Sequence, residues 1–126
     1  MRYLKKYQLF ERKSNDIISN INDILIELDH EGFETSCEDI TVNWAKNKII
    51  EILIHKKDYH ISLISWGDIK ETVFHILDYL TLNDMNNIRY FSDGIEWGIG
   101  FKSESDFEGV GDDITQHQLR ILVTLT

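Results

Sequence analysis

Proline is absent from this chain of 126 residues, and cysteine and alanine occur once each. The lone Cys37 excludes an internal disulfide framework and a four-cysteine zinc site, and it points to a reducing, cytoplasmic setting. No apolar run approaches the roughly 20 residues needed to cross a bilayer, and no secretory signal opens the chain. Motifs of nucleophilic, phosphate-binding or zinc chemistry are also missing. There is no Gly-x-Ser-x-Gly elbow, no glycine loop closing on Lys-Ser or Lys-Thr, and no His-Glu-x-x-His. Gly94, Gly98, Gly100, Gly109 and Gly111 do not follow a dinucleotide fingerprint. These absences assign no cofactor, no metal and no catalytic residue, and they leave an enzyme of unknown class as the third alternative.

Positive charge is missing from a long stretch. Residues 14–45 hold eight acids and no Lys or Arg, although the first 13 residues hold five bases and one acid. The formal net charge is -9, so the chain beyond the basic start carries -13. A field of that sign repels phosphate backbones and argues against direct nucleic-acid binding, while steering the body towards a basic surface. Nineteen Ile and eight Asn against a single Ala reflect AT-rich codons, a feature of many phage and low-GC bacterial genomes. With 42% hydrophobic residues the chain can offset its chain entropy and form one domain.

Periodicity divides the chain. Ile17, Ile18, Ile21, Ile24, Leu25 and Leu28 form a helical apolar stripe over residues 14–31, with Ser14 as the expected N-cap and Gly32 as the stop. Phe33, Thr35 and Cys37 then alternate with polar residues, and Ile40, Val42 and Trp44 resume the alternation after a slip near Glu38 and Asp39. Residues 43–47 read as a turn. Residues 48–55 make a β-branched strand, and Tyr59, Ile61 and Leu63 a short third strand. Ser65 caps a second helix carrying Ile69, Val73, Ile76, Leu77 and Leu80, which ends near residues 82–84. Residues 88–92 and 95–102 form a hairpin around Ser92-Asp93-Gly94. Gly98 and Gly100 would leave a flat strip on that last strand, for the chain's own packing or for self-association. Residues 103–113 read as a solvated acidic loop, and Leu119, Ile121, Val123 and Leu125 as the closing strand.

The expected class is α+β: two amphipathic helices on one face of a mostly antiparallel sheet of five or six strands. A shift of 52 residues lays Asp16-Ile17 on Asp68-Ile69 and Leu28 on Leu80, so a duplicated helix-strand-strand unit stays open. The expected division is a basic, aromatic arm over residues 1–13 and a single domain over 14–126.

Among chemical candidates, His55 and His60 flank a turn with Asp58, but a metal site wants three or four fixed ligands. Cys37 reads as a small buried hydrophobe in an acidic segment. The opening Arg2-Tyr3-Leu4-Lys5-Lys6-Tyr7-Gln8-Leu9-Phe10-Glu11 resembles the starts of small uncharacterised proteins of tailed bacteriophages. It is also similar to the capsid-targeting leaders of internal head proteins, which are cut after Leu/Ile-x-Glu. Leu9-Phe10-Glu11 fits that pattern, as does Leu25-Ile26-Glu27.

The expectation is therefore a phage-type accessory protein that acts by binding a basic protein in the bacterial cytoplasm, such as a host defence or nucleic-acid-processing factor. The expected contacts are Asp23, Glu27, Glu31, Glu34 and Glu38, with Glu104, Asp106 and Glu108 as a second cluster. A virion or assembly protein with a targeting leader is the alternative. Contact with a membrane or with nucleic acid is not expected, and a homo-oligomer through an edge strand stays open.

Overall fold

A computed structural model describes residues 2–58 and 60–125, with residues 2–14 described by backbone alone. Helix α1 (Arg2–His30) leads into strands β1 (Phe33–Asp39) and β2 (Lys48–Lys56). A short strand β3 (Ile64–Ser65) opens helix α2 (Trp66–Leu82), which is followed by β4 (Ile88–Ser92) and β5 (Ile95–Trp97). A 3-10 turn (Glu104–Phe107), β6 (Thr115–Gln116) and β7 (Gln118–Leu125) complete the chain. Five strands form one antiparallel sheet in the order β1-β2-β7-β4-β5, and β3 pairs with β6 in a separate ladder.

Cross-strand register makes the core one-sided. Ile50, Ile52 and Ile54 of β2 face Val123, Ile121 and Leu119 of β7, which on their other side face Ile88, Tyr90 and Ser92 of β4. All but Ser92 are buried, together with Ile17, Ile21, Leu25 and Leu28 of α1 and Ile69, Val73, Ile76, Leu77 and Leu80 of α2. Each such aliphatic side chain contributes about 1.5–3 kcal/mol through burial. Both helices thus cover one face of the sheet, in the expected α+β arrangement. The other face carries half-buried Leu53, Phe91 and Leu122 between two ion pairs, Glu51–Arg120 and Arg89–Glu96. The helix-strand-strand order recurs, but the strand positions do not. β1 lies at an edge with β2 inside, whereas β4 lies inside with β5 at an edge.

Several local expectations are corrected. α1 begins at Arg2 and runs through Ser14, so Ser14 caps nothing and the helix starts twelve residues earlier than its apolar stripe indicates. β1 ends at Asp39, where Ile40 N–H gives a last bond to Ile49 O, and Trp44 is 86% exposed in the turn beyond. Residues 60–63 are turn and coil rather than strand, with Ile61 and Leu63 exposed, and Tyr59 lies outside the described residues. β5 stops at Trp97. Gly98 and Gly100 take φ of 59° and 85°, which an extended strand cannot use, so the flat glycine strip does not form. The hairpin turn before it holds: Asp93 and Gly94 both have positive φ, as a type I′ turn requires.

The loop over residues 98–114 is exposed along most of its length, as its acidic residues lead one to expect, but it is structured and its anchor is aromatic. Phe107 is 2% exposed and lies between the rings of Phe101, Trp66, Tyr90, Phe74 and Trp97, at centroid distances from 4.8 to 5.9 Å. The same loop finishes the start of α2. Ser65 makes no side-chain cap, and the N–H groups of Trp66 and Gly67 donate instead to Ile114 O and Asp112 O, at 2.8 and 3.0 Å. Gly67 is required by that approach, because a Cβ there would sit 2.9 Å from Asp112 Cβ. Replacing Phe107 by Ala removes the centre of the cluster and should cost about 3–5 kcal/mol in urea unfolding. The control Ile99→Ser, at a site 83% exposed, should stay within about 0.5 kcal/mol of wild type.

Candidate functional site

The fold sends the eight carboxylates expected to touch a partner to three places. Asp23 and Glu27 lie one turn apart on the exposed side of α1, with Glu31 in the turn that follows it. Glu34 and Glu38 alternate with buried Phe33 and Cys37, so they stand on the open face of the sheet. There Glu34 lies 4.0 Å from His55 Nδ1, and Glu38 is opposite Glu51, which Arg120 holds at 2.6 Å. Glu104, Asp106 and Glu108 belong to the 3-10 turn and the residue after it. Asp106 is exposed but bound to its own loop, where its Oδ2 accepts the N–H groups of Lys102 and Ser103 at 2.8 and 3.1 Å. Those bonds hold its carboxyl below the ordinary aspartate value. Glu104 and Glu108 border a small cleft with Lys70 and Asp112, themselves joined at 2.9 Å.

Of these eight carboxylates, Glu34 is the one in an ion pair among the described residues. The ion pairs among the described residues are Lys48–Asp39, His55–Glu34, Lys70–Asp112, Arg89–Glu96 and Arg120–Glu51. Apart from Lys70–Asp112, at the start of α2, they join residues of the sheet. The helical layer is different. Asp16, Asp23 and Glu27 follow at spacings of seven and four along α1, and Glu71 and Asp78 stand on the exposed side of α2. None of these five is in an ion pair among the described residues, and Lys70 is the one Lys or Arg whose side chain is described on either helix. Asn20, on the same flank of α1, donates to Tyr79 Oη of α2 at 2.9 Å, so that flank borders the second helix. Asp16, Glu71 and Asp78 were not among the expected contacts. The helical spacing that places them beside Asp23 and Glu27 is in the sequence, but the juxtaposition of two helices is not.

Chemistry of the nucleophilic kind has little to work with around Cys37. Its side chain is 4% exposed, and burial, helped by the nearby Glu38 charge, pushes the thiol up to about 12. No group of three His, Cys, Asp or Glu among the described residues is placed to hold a metal ion. His60, His117 and Asp93 border one cleft, where the Asp93 carboxylate accepts the N–H groups of His117 and Gln118, each at 2.9 Å. Those bonds tie the β4–β5 turn to the point where the chain leaves β6 and enters β7. No helix among the described residues is long and apolar enough to cross a membrane. Compared with protein-family models, with curated proteins and with solved structures, the chain finds no match.

The lowered Asp106 pKa gives this loop an acid limit. A carboxylate whose folded pKa is depressed contributes stability above its unfolded value, about 3.9, and loses it as pH falls through the folded value below that. Wild-type stability should therefore decline below about pH 4, with the Lys102 and Ser103 amide resonances moving in step. Asp106→Asn should flatten that part of the decline in pH-dependent urea unfolding. Equal slopes in the two proteins would remove Asp106 from the account.

Proposed function

We propose that this chain works by binding, and that the unneutralised carboxylates of its helical layer dock on a basic protein. The observation that carries this reading is the division of the acids. On the sheet Glu34, Asp39, Glu51 and Glu96 have ion-pair partners of their own, while Asp16, Asp23, Glu27, Glu71 and Asp78 share an exposed layer with none among the described residues. Unpaired like charges on one layer repel each other, and a basic surface relieves that repulsion while the field speeds encounter. Within the expected set, this selects Asp23 and Glu27 as contacts and leaves Asp106 to the loop.

In the setting that the codon bias and the opening residues indicate, the protein is a phage-type accessory factor in a bacterial cytoplasm. Its partner is a basic host protein. Factors that handle nucleic acid, including defence factors, carry basic faces made for phosphate, and an acidic helical layer competes for the same charges. The alternative of a virion protein with a cleaved leader has weaker support. Residues 9–11 and 25–27, which fit the cleavage pattern, are both inside α1, and cutting there needs the helix to open first.

Charge reversal tests the reading. With Asp23→Lys, Glu27→Lys and Glu71→Lys combined, proteins captured from host lysate by the wild type should be lost, and association should slow about tenfold or more. Raising salt should act on the wild type in the same direction. Reversal of Glu34 and Glu38 on the sheet face should leave capture unchanged. A captured set that survives both the helical reversal and high salt would contradict the proposal.

A further inference from the structure

A cavity of about 490 Å³ opens beside the aromatic cluster, within the roughly 300–1,000 Å³ common for small-molecule sites. Its wall is built from segments far apart in the chain. Trp66 and Trp97 meet edge to face in it, with ring centroids 6.1 Å apart, and Ile95 and Ile114 stand at its mouth, 73% and 52% exposed. No Lys or Arg lines it, and its one charged side chain, Asp93, already accepts backbone N–H groups. Two of its lining residues also carry unpartnered polar atoms. The indole N–H of Trp97 and the carboxamide oxygen of Gln116 are buried without a hydrogen-bond partner, and Gln116 is 3% exposed. One orphan is a donor and the other an acceptor, and both belong to the wall of the same cavity.

We propose that this cavity binds a small, uncharged, planar heteroaromatic molecule with a cyclic-amide edge. The ligand's carbonyl oxygen accepts the Trp97 N–H, and its ring N–H donates to the Gln116 oxygen. Each property follows from the wall. Indole faces and aliphatic side chains favour a flat apolar body. The absence of a lining base, together with a net charge of -9, disfavours phosphates and carboxylates. A donor and an acceptor in one cavity wall match the paired acceptor and donor of an amide edge. Both atoms are buried beneath the cavity wall, so binding requires the Trp97 and Gln116 side chains to turn and present them. Ile95 and Ile114 then cover the outer side of the ring. This site is independent of the charged helical layer.

Titration of the full chain with 2-quinolone, followed by tryptophan fluorescence and by the Trp97 indole N–H resonance, tests the assignment. The expected result is a saturable shift at or below about 1 mM. Trp97→Phe and Gln116→Leu should each weaken binding about tenfold, as loss of one hydrogen bond does. N-methyl-2-quinolone, which lacks the donor, should weaken it similarly, and quinoline-2-carboxylate should not bind. Ile95→Glu keeps the fold, because the site is exposed, and should abolish binding by placing a charge at the mouth. The proposal is overturned if 2-quinolone gives no saturable shift, if the N-methyl probe binds equally well, or if Ile95→Glu binds like wild type.

Discussion

The last strand of the chain holds the middle of the sheet, and the rest of the fold waits for it. β7 pairs with β2 along eight positions and with β4 along five, while β2 and β4 do not pair with each other. Without residues 118–125 the two halves, α1-β1-β2 and α2-β4-β5, would each present an unpaired inner edge and a half-built apolar face. Leu119, Ile121 and Val123 are fully buried because they fill the centre of the layer that both helices cover. Every pairing that β7 makes with β2 joins residues more than sixty positions apart. The sheet is therefore closed by long-range contacts, whose loop-closure cost comes before any contact rewards it.

That one-sided closure also sorts the charges. A sheet with helices on one face leaves its other face in water, where cross-strand neighbours are set at fixed spacing. There Glu51 meets Arg120 and Arg89 meets Glu96, with both arginines within 6 Å of the Phe91 ring. The sheet fixes its ionic partners as a by-product of register. The helices bring acids to their outer sides without any cationic strand opposite them, and a residue run without Lys or Arg supplies none locally. The asymmetry of the field thus follows from topology as much as from composition.

The helices, the β1–β2 and β4–β5 pairs and the closing strand were legible from periodicity, since each carries its apolar residues at its own repeat. Asp93-Gly94 was legible as a hairpin turn because only such residues accept positive φ at both centres. The errors share a cause. Ile40, Val42 and Trp44, and again Ile99 and Phe101, alternate along the chain as strands do, but beyond the one bond from Ile40 to β2 no neighbouring strand pairs with them. Alternation shows what a segment is able to become, and pairing decides what it does become. The acidic stretch after Lys102 is exposed as its composition indicates, but it is also anchored. Its single buried ring, Phe107, outweighs five carboxylates, because a ring among five others gains more from burial than the chain loses on being ordered.

The cavity had no signature in the sequence, since its wall combines residues 66, 92–97 and 109–116. Its shape comes from three separate restraints: the Asp93 carboxylate on β7, Phe107 in its aromatic nest, and Asp112 pressed against Gly67. Each holds a different part of the wall's backbone, which gives the wall a defined shape without a regular element. An orphaned buried polar atom costs about 1–3 kcal/mol, against a total stability of about 5–15 kcal/mol for a domain of this kind. Both orphans that the described side chains leave, at Trp97 and Gln116, fall in this one wall. A cost incurred by chance would be spread over the core. Concentrated beside an apolar opening and held by three independent restraints, it marks a place where the fold keeps hydrogen-bonding capacity in reserve.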